Sequence, residues 1–263
     1  MHDLSIIIVS WNAKDSLRQC LVSLRRAHAA LSTEIIVVDN ASSDGSAEMV
    51  AREFPQVLLV RNATNAGFAA ANNVGLRLAR GKYVALINSD VEVPRGCLET
   101  MVGYMDQHES VGMLGPRMLT PSGEIGPSCM NRPSLRIWLA SALGLARVVR
   151  GAGLHIIHPE LLKTQEVDVL NGWFWTVRKS ALENVGLLDE QFFMYGEDID
   201  WSRRFWDRGW KVVYFAEAEA LHYGGASSAR APVRFYVEMQ RANLQYWKRY
   251  HGRASQAAYL LIV

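Results

Sequence analysis

The sequence predicts an α/β fold: a Rossmann-like, mostly parallel central sheet flanked by helices. Two observations predict it. Apolar, β-branched runs alternate with segments of helical periodicity through the first 120 residues, the pattern produced by parallel strands joined through crossover helices. Each run also ends in a short polar cluster, and the carboxyl ends of strands are where an open parallel sheet presents its ligand crevice.

The first element is the buried run Leu4-Ser5-Ile6-Ile7-Ile8-Val9, expected as a strand over 4–10. It is too short for the core of a secretory leader and has no basic segment before it. Leu17, Leu21, Leu24 and His28 then recur at helical spacing, as do Phe68, Asn72, Leu76 and Ala79, so both segments read as helices laid on the sheet. Further strands are expected at 34–39, 57–61 and 82–88. From Pro121 to about Gln165 the periodicity weakens among prolines and glycines, which reads as an excursion from the core made of a mobile loop and a short helix. Order resumes with a strand over Val167-Asp168-Val169-Leu170, a helix near 197–209, a strand at 211–215 and a helix over 233–250. Six of the eight tryptophans fall between 173 and 247, giving this part the large rigid surfaces that ligand clefts favour. The apolar run 257–263 carries no polar cap. It reads equally as the edge of a membrane-lying segment or as an element tucked against the core.

Composition narrows the function classes. With 263 residues, 49% hydrophobic and 21% charged, the chain has an ordinary globular balance. Its net charge of +2 supplies no field that would draw it onto nucleic acid. Cys20, Cys97 and Cys129 are odd in number and lack C-x-x-C spacing, which argues against a disulfide framework or a cysteine zinc site and fits a reducing, cytoplasmic setting. The longest uncharged apolar stretch, 137–146, has ten residues, about half of what a spanning helix needs.

The chemistry is concentrated in the strand-end clusters. Ser10-Trp11-Asn12, Asp39 through Ser46, Asn65-Ala66-Gly67-Phe68 and Asn88-Ser89-Asp90 follow successive strands, so they converge on one cleft. Asp39 can accept hydrogen bonds from a nucleobase or ribose, Ser42 or Ser43 can cap the next helix, and Asp44-Gly45-Ser46 reads as a plain helix start. The helix opening at Asn65-Ala66-Gly67 can offer backbone N–H groups to phosphate. A carboxylate at Asp90 can hold a hard divalent cation that also binds a diphosphate. Glu197, Asp198 and Asp200 open a helix where its dipole favours acids. Asp200 and Arg204, four apart, are expected to pair, leaving Glu197 and Asp198 to face the cleft. His222 precedes a small-residue loop and suits a metal or phosphate role.

Taken in order, Val37-Val38-Asp39-Asn40-Ala41-Ser42-Ser43-Asp44-Gly45, Asn65-Ala66-Gly67-Phe68-Ala69, Leu86-Ile87-Asn88-Ser89-Asp90, Gly172-Trp173-Phe174 and Tyr195-Gly196-Glu197-Asp198-Ile199-Asp200 resemble the family 2 glycosyltransferases with a GT-A fold. The nearest branch is the rhamnosyltransferase-like enzymes of bacterial surface-polysaccharide assembly. The resemblance covers about residues 4–250. It implies that Ser10, Trp11, Asn12 and Asp39 surround the nucleoside, that Asn65 and Gly67 border the donor, and that Asn88-Ser89-Asp90 stands at the Asp-x-Asp position. With asparagine first, Asp90 carries most of the contact to a Mn²⁺ or Mg²⁺ ion, completed by His222. Asp198 matches the general base and Glu197 its supporting acid. Residues 1–120 form the nucleotide-sugar half and 121–263 the acceptor and base half of one domain.

The resemblance implies an inverting transfer from a nucleoside diphosphate sugar, dTDP- or UDP-linked, to a glycan or lipid-linked acceptor, rhamnose being one candidate sugar. Trp173, Phe174 and Trp175 are expected on the acceptor side, where aromatic faces pack on sugar rings. For at least one of them core packing is the plainer expectation, since alternate strand residues face opposite ways. Neither Gln240 nor Gln245 begins the Gln-x-x-Arg-Trp motif of processive synthases, so single addition is expected. The arginine-flanked segment 132–150 is expected to rest on an anionic membrane at the inner face of the cell. A sugar-nucleotide nucleotidyltransferase and a non-catalytic sugar-nucleotide-binding relative stand as alternatives. A nicotinamide dehydrogenase does not, because no glycine follows the first strand.

Overall fold

The computed structural model describes residues 2–27, 30–145, 153–154, 156, 160–224 and 232–262. Strands β1 (Leu4–Ser10), β2 (Thr33–Asp39), β3 (Leu58–Arg61) and β4 (Tyr83–Asn88) lie parallel in the order β3-β2-β1-β4. Their bounds match the expected ones to within a residue. Helices α1 (Lys14–Ala27), α2 (Ser46–Glu53) and α3 (Phe68–Leu78) make the crossovers. The strand period is visible in the packing: Ile6 and Ile8 join Leu17, Leu21 and Leu24 of α1 on one face, while Ile7 turns to Leu76 of α3 on the other. Each such side chain contributes roughly 1.5–3 kcal/mol on burial. His28, expected in the first helix, lies outside the described residues.

The chain continues through β5 (Val91–Glu92), α4 (Cys97–Gln107) and β6 (Val111–Leu119). The sequence gives β6 no clear signal, since Gly112, Gly115 and Pro116 interrupt its apolar run. The excursion holds β7 (Cys129–Met130) and the expected short helix, α5 (Leu135–Ala142); part of the segment expected to be mobile lies outside the described residues. β8 (Gln165–Glu166) and β9 (Val169–Leu170) replace the single strand expected at 167–170. They separate because Val167 spends its N–H on Val212 and its carbonyl on the Trp206 indole. β10 (Phe174–Arg178), α6 (Lys179–Val185), α7 (Glu197–Asp207), β11 (Lys211–His222), α8 (Pro232–Tyr250) and α9 (Arg253–Ile262) complete the chain.

Among the described residues the main sheet has nine strands, and both halves contribute to it. β10 inserts antiparallel between β4 and β6, and β11 runs parallel to β6. This topology positions the site. Antiparallel insertion sets the start of β10 against the end of β4, with the Asn88 N–H donating to the Trp173 carbonyl at 3.0 Å. β11 is longer than expected: beyond an irregularity after Phe215 it runs on to pair His222 with Val91 of β5. Residues 171–173 and His222 thereby meet Asp90 at one end of the sheet. A separate apolar cluster ties α8 and α9 together through Tyr246, Trp247 and Tyr259, with Trp138 of α5 packed against it.

Candidate active site

At this end of the sheet lies a cavity of about 790 Å³, lined by Trp11, Asn65, Gly67, Asn88, Ser89, Asp90, Trp173, Glu197, Asp198 and His222 among others. The strand-end clusters therefore converge, as the parallel topology requires. Three non-glycine residues in the surrounding loops adopt positive φ: Asn12 (51°), Ala41 (64°) and Tyr195 (68°). Such conformations cost of order 1–3 kcal/mol each and persist where neighbouring structure enforces them.

On the β1–β2 side the predicted residues divide. Trp11 lines the cavity. Asp39 and Ser10 are not lining residues but adjoin Asn40 and Trp11, which are. Asp39 is buried at 4% exposure, with one oxygen accepting the Ser42 N–H at 3.0 Å and the other, Oδ1, lacking a partner among the described residues. The adjacent Ser10 hydroxyl is likewise buried and unpartnered. Buried polar atoms left this way call for a partner from outside the fold. Asn12 does not face the cavity: its amide oxygen accepts the Ser43 N–H at 2.8 Å and its own N–H donates to Ser42 Oγ at 2.9 Å. It clamps the 42–43 loop instead. Neither Ser42 nor Ser43 caps α2; Asp44 does that work, one oxygen accepting the Ser46 N–H and the other the Lys14 N–H at the start of α1. Burial opposes its ionisation, but hydrogen bonds from Ser46 and Lys14 hold its carboxyl below the usual range.

On the β4 side, His222 Nε2 lies 3.2 Å from Asp90 Oδ1. The imidazole stacks on the Trp173 indole, with ring centroids 5.4 Å apart and 19° between planes. An oxygen and a nitrogen donor so close on a cavity wall suit a divalent cation whose remaining ligands come from substrate oxygens. Among the described residues no cluster of three or more His, Cys, Asp or Glu forms a self-sufficient metal site. The aromatic triplet is corrected. Phe174 and Trp175, expected toward the acceptor, are core residues at 1% and 0% exposure, and the Trp175 indole donates to the Leu170 carbonyl. Of the three only Trp173, itself 3% exposed, lines the cavity: it precedes β10, whereas Phe174 and Trp175 lie within the strand and alternate into the core layers on its two faces.

On the opposite wall α7 begins after Gly196, in the left-handed region at φ 81°. Glu197 is buried at 5% exposure with Oε2 unpartnered. Burial, then the neighbouring Asp198 charge, pushes its carboxyl well above the ordinary range. Asp198 is half-buried and accepts the Ile199 N–H at 2.8 Å; burial, partly offset by that bond, raises its pKa to about 6. Asp200 turns away, fully buried, and pairs with Arg204 at 2.8 Å as expected; it also accepts the Tyr250 hydroxyl at 2.5 Å. That bond fastens α8 to α7, a link the sequence does not signal.

Two other features escape sequence reading. Asn40 is a hub: its Nδ2 donates to Asn65 Oδ1 and to the Gly67 carbonyl, and its Oδ1 accepts from Asn62 and the Ala66 N–H. A second wall comes from α8 through Arg234, Phe235, Met239, Gln240 and Asn243. No motif marks it, and only its apolar and polar alternation at helical spacing could have suggested a wall.

Comparison with known proteins identifies the family and the fold. Residues 5–186 match glycosyl transferase family 2. The chain is 30% identical, over 87% of its length and 78% of the relative's, to an N-acetylglucosaminyl-diphospho-decaprenol L-rhamnosyltransferase from Mycobacterium tuberculosis. Its fold resembles residues 1–349 of S. aureus TarS in complex with UDP-GlcNAc, with a TM-score of 0.64 and 18% identity over 97% of this chain and 69% of that one. Of the longer TarS chain it spans 42%. It also resembles the mannosyltransferase PcManGT from Pyrobaculum calidifontis, solved with GDP-Man and Mn²⁺: TM-score 0.62, 19% identity, covering 99% and 70% of the two chains.

Proposed function

The chain belongs to glycosyl transferase family 2, and we propose that it transfers one sugar, with inversion, from a nucleoside diphosphate sugar to a hydroxyl of a lipid-linked acceptor in surface-polysaccharide assembly. The observation that carries this reading is the pairing, across one cavity, of a cation-suited Asp90–His222 wall with a half-buried Asp198 whose pKa is raised to about 6. The relative from Mycobacterium tuberculosis, named for a rhamnosyl transfer to a diphospho-decaprenol carrier, supports rhamnose and a lipid-linked acceptor. The donor is a dTDP- or UDP-sugar in this reading, and the similar TarS structure in complex with UDP-GlcNAc supports the UDP form.

Each residue has a stated task. The orphaned oxygens of Asp39 and Ser10 receive the nucleoside, with Trp11, Asn65 and Gly67 bordering the donor. Asn88 and Ser89 present the turn that carries Asp90. Asp90 and His222 would hold a Mn²⁺ or Mg²⁺ ion, which when bound neutralises charge on the departing diphosphate. Asp198, ionised at neutral pH, takes the acceptor proton as the acceptor oxygen bonds to the anomeric carbon and the bond from that carbon to the diphosphate oxygen breaks. Glu197, whose carboxyl burial pushes well above the ordinary range, stands beside it as the supporting acid. Trp173 props His222 and closes the floor between donor and acceptor. Residues 1–120 thus serve mainly the donor and 121–263 the acceptor and base, with His222 crossing over to the metal.

The test is a calorimetric titration with UDP, dTDP and GDP, each with Mn²⁺, Mg²⁺ or EDTA. Metal-dependent binding of one nucleotide, abolished in Asp90→Ala, is expected. Binding that is indifferent to metal and to Asp90→Ala would contradict the donor-site assignment.

A further inference from the structure

Two helices that line the far wall of the cavity, α5 and α8, form with α9 an outer face with no partner among the described residues. α5 has the sequence Leu-Arg-Ile-Trp-Leu-Ala-Ser-Ala, yet none of its residues is buried. It packs on α9 through the Trp138 and Tyr259 rings, 5.3 Å apart, and α9 packs on α8 through Tyr259 and Trp247, 4.9 Å apart. Around this cluster large apolar side chains stand in solvent: Leu139 at 49%, Leu143 at 64%, Val233 at 76%, Tyr236 at 60%, Leu260 at 62% and Leu261 at 89% exposure. Scattered exposed leucines are ordinary, but a run of them over three contiguous helices is not.

The charge of the same elements selects the partner. Residues 131–145 and 232–262 carry seven Lys and Arg side chains and a single acid, Glu238, in a chain whose total is only +2. The remainder is therefore net acidic; Arg249 pairs with Asp189 and Asp200 and Arg241 with Glu238, which leaves five basic side chains on the segments that carry the exposed apolar residues. A basic rim around exposed leucines and aromatics is the signature of a face that lies in the headgroup layer of an anionic bilayer. No helix among the described residues is long and apolar enough to cross a membrane.

We propose that α5, α8 and α9 together form a docking face for an anionic lipid surface. The cavity shares its wall with this face: Trp138 of α5 and Met239 of α8 line the cavity, and Met239 is also 38% exposed. Docking by this face presents the cavity mouth at the depth of a lipid headgroup. The expectation for segment 132–150 is thereby extended to two helices it did not include. The proposal needs no catalytic step, so it stands or falls apart from the transferase reading.

Sedimentation with phosphatidylcholine vesicles, with and without phosphatidylglycerol, tests it. The wild-type chain is expected to sediment with the anionic vesicles, to be released by high salt, and to ignore the neutral ones. Arg136→Glu with Arg253→Glu places acids in the first turns of α5 and α9, where the helix dipole favours them. That pair is expected to lower anionic partitioning at least about tenfold, as basic residues near the surface each act there. Leu260→Ser with Leu261→Ser is expected to lower it as well, with UDP binding unchanged in both variants. Absence of sedimentation on anionic vesicles, or variants that partition like wild type, would overturn the proposal. So would self-association lost in the leucine variant without vesicle binding, which gives the face to a second copy.

Discussion

His222 and Asp90 come from different halves of the chain and meet at 3.2 Å because β11 runs on past its irregularity to pair with β5. Trp173 fixes the imidazole plane by stacking. Supporting residues of this kind typically change metal affinity 10–100-fold. His222→Ala is expected to weaken Mn²⁺-dependent UDP binding by about that range, Trp173→Ala by about tenfold, and Trp173→Phe little. Titration calorimetry checks the order; a His222→Ala variant that binds as tightly as wild type contradicts the metal assignment.

Gly67 joins the two halves of the site. It sits at φ 85°, and a Cβ there would come 2.3 Å from the Phe193 carbonyl oxygen, which also accepts the Phe68 N–H at 2.7 Å. Backbone cannot yield as a flexible side chain does. Gly67→Ala is expected to cost on the order of 3–5 kcal/mol and to impair nucleotide binding. Gly103→Ala, inside α4 with nothing within 4 Å of the added carbon, is expected to gain about 0.5–1 kcal/mol. Urea unfolding of both variants measures the contrast, and equal effects would refute the close approach.

The Asp198 carboxyl carries a stability cost that depends on pH. Burial raises its folded pKa to about 6, so the group's contribution to stability is fully present below its unfolded value of about 4 and is lost as pH rises through 6. Asp198→Asn is therefore expected to stabilise the fold by about 1–3 kcal/mol near pH 8 and by about half as much near pH 5. Denaturation midpoints at the two values test this. A gain that is the same at both contradicts the raised pKa.

The parallel half of the fold is legible because Ile6, Ile7 and Ile8, or Tyr83 through Ile87, are buried on both faces and bounded by polar residues. The second half is less so. β11 hides its last turn of pairing in Glu217, Ala218, Glu219 and Ala220, whose propensity is poor for a strand although their inside–outside alternation has the right period. Asp90, His222, Glu197 and Asp198 are recognisable as chemistry wherever they stand. Asn12 and Asn40 are not separable by sequence from ligand contacts, since an asparagine that clamps a loop and one that binds a nucleotide look alike until their amide groups are found spent. Phe174 and Trp175 show the same limit: burial by a neighbouring layer is a tertiary fact.

The central claim is that Asp198 is the base. Initial rates of sugar transfer from the donor identified by titration to a lipid-linked acceptor, measured from about pH 5 to about pH 8 for wild type and Asp198→Asn, test it most directly. The wild-type rate is expected to rise with pH through about 6 as the carboxylate forms. The variant is expected to bind the donor normally, to turn over about 10²- to 10⁴-fold more slowly, and to lose that limb of the profile. Near-normal turnover in Asp198→Asn, with the limb retained, would take the base role from Asp198.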